Sequence, residues 1–519
     1  MTGRLQKESW SSHWGAILAV AGSAIGLGNM LRFPVQAADN GGGAFMIPYF
    51  ISLLLIGIPM MWIEWSIGRY GGRYGHTTGP SILNQLWCNR FSKYLGVISI
   101  FAPLVIFIFY IYIESWLLGY SFYALSGTLT SIHDKESMAA FLSGYQGIEA
   151  NAFFQNIAPA YFFFIVTFFI NFFIIFQGVT KGIERVCKIT LPILFIVGIV
   201  LMIRVITLPA PYDDKPEWSI LNGFGYLWNP DFSSLLNAKT WLAAAGQIFF
   251  TLSLGMGIIL TYASYLKEKD DIVLSGLTAS SANGFAEVVL GGSIVIPLAF
   301  AFLGPEGMKG IASSGAFDLG FVTMPFIFTQ ISLGAFFCFL WFILLFIAGI
   351  TSSISLIEPT VAFVRDNFQI DRKKAAFIIG GVTFLLCQPV IFFLSHGVLD
   401  ELDFWAGTFC LVLLGTIEAV LFAWVLGIDK SWEEIHRGAK IKIPVVYKWI
   451  MRWVTPTLLL VVLGAWIVQE GWPTIIMTNV REEDVPYVLC TRIGLIAIFL
   501  ILVFLVHIWH KKYSSSPSR

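Results

Sequence analysis

Apolar residues run in long stretches along this chain, and polar residues gather in the segments between them. A helix needs about 20 mostly apolar residues to cross a bilayer. On that measure twelve spans are predicted: 12–38, 43–70, 91–126, 158–177, 184–208, 241–266, 272–303, 334–365, 374–394, 399–426, 447–470 and 487–510. The expected architecture is an all-α polytopic membrane protein. Two connecting segments are long. Residues 127–157 are polar, with an acidic cluster near His133-Asp-Lys-Glu136. Residues 304–333 mix Gly with apolar positions, as in Gly315-Ala-Phe-Asp-Leu-Gly-Phe321. They could form short helices over an outer vestibule, or both segments could be surface loops.

Composition agrees with the pattern. Of 519 residues, 57% are hydrophobic and 12% are charged, against about 25% charged in soluble domains. So few charges could not cover a soluble surface of this size. A soluble enzyme and a disordered chain are excluded, and zero net charge argues against a nucleic-acid binder. Six cysteines without a CxxC pair read as small core residues, not disulfides. The first span follows Trp10-Ser-Ser-His13 without the basic start or cleavage site of a signal peptide, and is expected to be retained.

The basic residues set the expected orientation. With both termini cytoplasmic, 24 of the 32 Lys and Arg residues fall on that side. Six fall outside, and Arg32 and Arg204 lie within spans. This bias follows the positive-inside rule and favours an even number of spans.

Two spans carry clustered helix breakers at mid-membrane. The first contains Gly22-Ser-Ala-Ile-Gly-Leu-Gly-Asn29, and the sixth contains Phe250-Thr-Leu-Ser-Leu-Gly-Met-Gly257. Each Gly costs a helix about 1 kcal/mol relative to Ala. Unwound backbone at that depth is tolerated only within protein or along a cavity. Close helix packing would also use Gly22 and Gly26. However, the breaks occupy matching first positions in two five-span halves, which points to a transporter site. An opened helix exposes N–H groups at one end, which attract a carboxylate, and carbonyls at the other, which attract a cation. Carbonyl, Asn and Thr oxygens are hard ligands suited to a small cation.

Five stretches carry a resemblance: Gly26-Leu-Gly-Asn-Met-Leu-Arg-Phe-Pro34, Asn40-Gly-Gly-Gly-Ala-Phe45, Gly246-Gln-Ile-Phe-Phe-Thr-Leu-Ser-Leu-Gly255, Ala348-Gly-Ile-Thr-Ser-Ser353 and Leu402-Asp-Phe-Trp-Ala-Gly407. In order and content they resemble the neurotransmitter:sodium symporter family over nearly the whole chain. The resemblance implies a five-plus-five inverted repeat, residues 12–208 and 241–426, with helices one and six broken. Residues 447–510 would add helices eleven and twelve. Residues 1–11 and 511–519 would be cytoplasmic ends. It implies sodium-driven uptake of an amino acid across a bacterial cytoplasmic membrane, no enzymatic activity, a lipid environment and a homodimer contact. An amino-acid sensor on the same fold, without net transport, is the alternative.

The resemblance also implies site residues. Two sodium ions would be co-transported. One would be held by the Ala24 carbonyl, Asn29, Thr251, Asn283 and the substrate carboxylate. The other would be held by the Gly22, Ile25 and Ala348 carbonyls with the Thr351 and Ser352 hydroxyls, although these two hydroxyls could instead bond to their own helix. The substrate carboxylate would meet the Leu27 and Gly28 N–H groups and Tyr110. Its ammonium would meet carbonyls of Ala24, Phe250 and Thr251 and the hydroxyl of Ser253. Ile106, Tyr110, Phe250, Met256, Ser352 and Leu356 would line the side-chain pocket. That wall is uncharged, which predicts a neutral, apolar side chain. Amine-transporting members carry Asp at the position of Gly26. Gly there predicts that the substrate brings its own carboxylate.

Gates follow from the same resemblance. Arg32 and Asp403 would close the outside above an aromatic lid of Tyr110 and Phe250. Lys7 and Asp366 would close the inside, supported by Trp10, Ser264 and Tyr265. Glu287 stands where chloride-dependent members have Ser, so its carboxylate predicts no chloride requirement. Roles for the intramembrane acids Glu64, Glu114, Glu358 and Glu418 are left open by the sequence.

Overall fold

The computed structural model describes residues 8–478 and 480–514, and the course of the chain is helical. Among these residues, ten helices are long and apolar enough to cross a membrane. The pair His13–Ala24 and Gly28–Asp39, bent by 46°, makes an eleventh. The predicted sixth span is present as two half-helices, Ala238–Thr251 and Ile258–Ser264. Neither half alone has the length of a span, which is the consequence of the break between them.

The third span, Ser92–Leu125, lies at the centre. Its apolar window is entirely buried, and it packs along Gly334–Phe368. A helix hydrophobic on all sides must be surrounded by protein or lipid. Val179–Ile206 and the last helix are the lipid-facing counterparts, with 28% and 17% of their windows buried.

Two loop regions are more ordered than a loop reading of them allows. Residues 127–157 contain the helix Lys135–Tyr145, capped at its start by Asp134 accepting from Ser137 N–H at 2.7 Å. The helical course that opens at Ile272 runs on to Thr329. It kinks at Gly304 and Gly315, whose φ values of 69° and 84° suit residues without a Cβ. Gly315, Ala316 and Phe317 line the vestibule described below. Thus most of 304–333 is helix folded over the site.

Candidate substrate and ion site

The two breaks face each other at the centre of the protein. In the first span the backbone becomes extended at Ile25 (φ −78°, ψ 94°), which turns its carbonyl out of the helical direction. In the sixth, Ser253, Gly255 and Gly257 all take positive φ. At Gly255 a Cβ would lie 2.0 Å from the Leu411 carbonyl oxygen, so only glycine lets this backbone pack directly on the tenth helix. Its freed N–H donates to Glu64 Oε1 at 2.7 Å. A buried carboxylate thus satisfies a donor that unwinding exposes. Ser253 holds a conformation costly for a residue with a Cβ. Its hydroxyl reaches across to donate to the Ser23 carbonyl at 3.0 Å.

Between the breaks lies a small cavity of about 50 Å³. All eleven residues expected around the substrate line it: Ala24, Leu27, Gly28, Ile106, Tyr110, Phe250, Thr251, Ser253, Met256, Ser352 and Leu356. Phe109 and Ile258 line it as well. In sequence they were indistinguishable from core residues, because neither carries a polar group or breaks a pattern. No Asp, Glu, Lys or Arg is among the lining residues. Leu27 N–H points to the Tyr110 hydroxyl at 3.5 Å. A Cβ on Gly26 would sit 2.9 Å from Ser352 Oγ and 3.2 Å from Tyr110 Oη, so this glycine opens directly onto the polar corner of the cavity.

Beside the cavity, oxygen-bearing groups from three helices converge. Asn29 Nδ2 donates to Thr251 Oγ1 at 3.0 Å and to Asn283 Oδ1 at 2.8 Å. Asn29 Oδ1 accepts from Gly26 N–H at 2.8 Å. The end of the Asn283 amide that faces the Ala24 and Thr251 carbonyl oxygens stands 3.1 Å from each. With its oxygen there, three oxygens meet without a proton between them. With its nitrogen there, it would donate to both carbonyls. Only the first arrangement concentrates negative potential; in the second the amide hydrogens satisfy the two carbonyls.

The second predicted group is brought together less fully. Gly22 packs against Thr351, to which a Cβ would approach within 3.3 Å. Thr351 Oγ1 donates to the Ile347 and Ala348 carbonyls at 3.2 and 3.1 Å. Ser352 Oγ donates to Ala348 at 3.1 Å and, across to the first span, to Ser23 at 3.2 Å. Both hydroxyls therefore engage their own helix here, the alternative considered for them.

On one side of the cavity is a vestibule of about 330 Å³, lined by Arg32 and Asp403. Leu27, Gly28, Phe109, Tyr110 and Phe250 line both spaces and form the partition between them. The Arg32 guanidinium lies over the Phe250 ring, 4.6 Å from its centroid. Among the described residues Arg32 and Asp403 form no direct ion pair. At Gly407 a Cβ would fall 2.2 Å from Asp403 Oδ1, so the glycine of the Leu402–Gly407 motif makes room for that carboxylate.

The opposite end is shut. Trp10 Nε1 donates to the Tyr262 carbonyl at 2.9 Å, and its ring meets Tyr262 edge-on and lies near Tyr265. Ser264 Oγ donates to Thr261 at 2.6 Å and Thr77 at 3.4 Å. Tyr265 Oη donates to Glu358 Oε1 at 3.0 Å. Lys7, expected to pair with Asp366, lies outside the described residues. Asp366 is held by Arg365 at 2.6 Å and by the Thr77 hydroxyl. Arg365 also pairs with Glu8 at 2.9 Å, and Arg372 grips Glu358 with two nitrogens at 2.9 and 2.6 Å. Glu8, Arg365 and Arg372 join this end through their ion pairs and were not among the residues expected there. Glu358 and Arg365 lie seven residues apart, two turns on one helix face, and that spacing was the available signal.

Glu287 is fully buried one turn beyond Asn283. Gln247 Nε2 donates to its Oε1 at 2.5 Å, and the Tyr49 hydroxyl donates to its Oε2. Glu114 accepts from Asn171 at 3.0 Å, and Asn171 in turn accepts from Ser353 at 2.6 Å.

A sequence model described as "Sodium:neurotransmitter symporter family" matches residues 7–141 and 148–512. The chain belongs to this family. It is therefore an integral membrane protein and a sodium-dependent transporter, not an enzyme. Among family relatives, a sodium-dependent transporter of Methanocaldococcus jannaschii is 32% identical over 88% of this chain and 89% of its own. The sodium-dependent transporter YhdH of Bacillus subtilis is 30% identical over 87% of this chain and 96% of its own. The crystal structure of MhsT in complex with L-phenylalanine superposes with a TM-score of 0.74 at 31% identity. It covers 88% of this chain and 99% of MhsT. The symporter fold expected from the sequence is thereby established.

Proposed function

We propose that the protein couples inward sodium movement to uptake of a neutral, hydrophobic α-amino acid by alternating access. The observation that carries this reading is one cavity, uncharged along its walls, lying against the Ala24 and Thr251 carbonyl oxygens and the Asn283 amide, whose oxygen would complete the cluster. An amino acid bound with its carboxylate toward Leu27, Gly28 and Tyr110 would bring the negative charge that the cluster lacks. Sodium and substrate then stabilise each other's binding, and the coupling must be reciprocal. For this ion the Asn29 amide must present its oxygen to the cluster. A second sodium ion would draw the Thr351 and Ser352 oxygens away from their helix carbonyls. MhsT with L-phenylalanine supports an amino acid as the substrate class.

Alternation is supported by the asymmetry of the two ends. A vestibule reaches the Tyr110–Phe250 partition on one side, while the Glu8, Arg365, Arg372 and Glu358 network seals the other. The positive-inside bias makes the sealed side cytoplasmic. Glu287, held by Tyr49 and Gln247, supplies a fixed anion and removes the need for chloride.

Proteoliposomes with an inward sodium gradient test the reading. Labelled leucine, methionine or phenylalanine should accumulate only with sodium outside. Uptake that is indifferent to sodium, or sodium-dependent binding without any uptake, would overturn it.

A further inference from the structure

Outside the transport site, a lipid-facing groove of about 850 Å³ runs between Ala158–Phe176 and Arg372–Phe392. That volume is within the range of small-molecule sites, about 300–1,000 Å³. Its floor is aromatic: Phe168 stacks on Phe172 at 4.6 Å and meets Phe384 edge-on at 5.3 Å. The ninth span lines it with Gly380 and Gly381, which present no side chain to the groove. A Cβ on Gly381 would find nothing within 4 Å.

Exposed phenylalanines are ordinary on a membrane protein. The polarity of the groove is not. Its polar lining residues, Gln177, Lys181 and Lys373, all sit at one end. Neighbouring Arg372 is engaged by Glu358, and Lys374 faces Asp371 at 3.9 Å. Among the described residues, neither Lys181 nor Lys373 has a carboxylate within ion-pair reach. From Lys373 to Phe384 the helix rises about 16 Å. That is one leaflet of a hydrocarbon core about 30 Å thick. The groove therefore has the depth of a single acyl chain layer, with two unneutralised cations at headgroup level.

We infer that this groove is a binding site for an anionic glycerophospholipid. The phosphate sits between Lys181 and Lys373, and an acyl chain lies over the phenyl rings beside Gly381. Basic pockets between membrane helices recognise anionic headgroups in this way. The site is independent of the transport reading, so either can fail alone.

The purified full-length protein would be examined by native mass spectrometry with phosphatidylglycerol or phosphatidylcholine of identical acyl chains. Wild type should retain phosphatidylglycerol preferentially. Lys181→Gln and Lys373→Gln should each weaken that retention about fivefold, and together roughly 25-fold. Gly381→Leu should weaken retention of phosphatidylglycerol without a change in charge, which separates a shaped groove from diffuse attraction to a basic surface. Equal retention of both lipids by wild type, or wild-type retention by the double Gln variant, would overturn the inference. So would a lipid-free dimer that Gly381→Leu dissociates, since a second copy would then be the occupant.

Discussion

The Arg32 guanidinium rests on the Phe250 ring, 4.6 Å from its centroid, and Gly28 lies beneath the same ring. A Cβ on Gly28 would come within 2.7 Å of Phe250 Cε1, so the ring of the proposed lid seats only because that residue is glycine. A cation–π contact of this kind contributes about 0.5–2 kcal/mol. Arg32→Ala should therefore weaken equilibrium substrate binding by roughly 3- to 30-fold. Scintillation proximity binding of labelled substrate measures it; unchanged affinity would remove Arg32 from the lid.

The oxygen cluster makes a prediction about sodium. Asn283→Ala removes one proposed ligand, the amide that meets Asn29 at 2.8 Å. Hydrogen bonds to charged groups are worth about 1.5–3 kcal/mol, so the sodium concentration for half-maximal substrate binding should rise about tenfold or more. Thr351→Ala should act in the same direction at the second group. Sodium titrations that superimpose on wild type for both variants would refute the assignments.

The proposed substrate class is tested at Gly26. Gly26→Asp would place a carboxylate where the glycine now opens toward Ser352 Oγ and Tyr110 Oη. Juxtaposed like charges cost several kcal/mol, so amino-acid binding should fall by about 100-fold or more. Competition assays with matched amino acids and their decarboxylated amines would show whether preference moves toward the amine.

Chloride dependence is the prediction at Glu287. Wild-type uptake should be the same in sodium chloride and sodium gluconate. Glu287→Ser loses the carboxylate held by Gln247 and Tyr49 and should transport only with chloride present. A wild-type chloride requirement would contradict the proposed role.

The proposed inner closure centres on Glu358, which Tyr265 and Arg372 both engage. Glu358→Gln weakens the two-nitrogen grip of Arg372 and the anchor of Tyr265. Breaking a buried pair costs about 3–5 kcal/mol when one partner is removed outright. The variant should therefore populate inward-open forms. With the exposed Cys88 and Cys490 replaced by Ser, Ser264→Cys should react faster with a thiol reagent applied from the sealed side when Glu358→Gln is also present. Equal labelling rates would locate the closure elsewhere.

Much of the site was legible because its signals are local. Gly255 and Gly257 stand where only small residues permit the backbone that the structure adopts, and such residues are conspicuous inside an apolar run. The inner closure was less legible. Arg365 and Arg372 look like ordinary basic residues at a membrane boundary until Glu8 and Glu358, distant in sequence, arrive beside them. Glu64 was equally mute: its role as acceptor for the Gly255 N–H exists only because a second helix packs against the sixth.

By itself, then, the order of residues determined that the chain is a membrane protein, where its spans lie to within a few residues, and which two of them break. Those properties follow from transfer of apolar side chains and from the backbone cost of glycine, both of which act within a single segment. Tertiary structure alone decided what the breaks enclose, which charges neutralise one another, and where a groove one leaflet deep opens to lipid. These depend on distances between helices far apart in sequence. Pairing a buried charge or filling a cavity is a property of two packed surfaces, and no single stretch of sequence carries it.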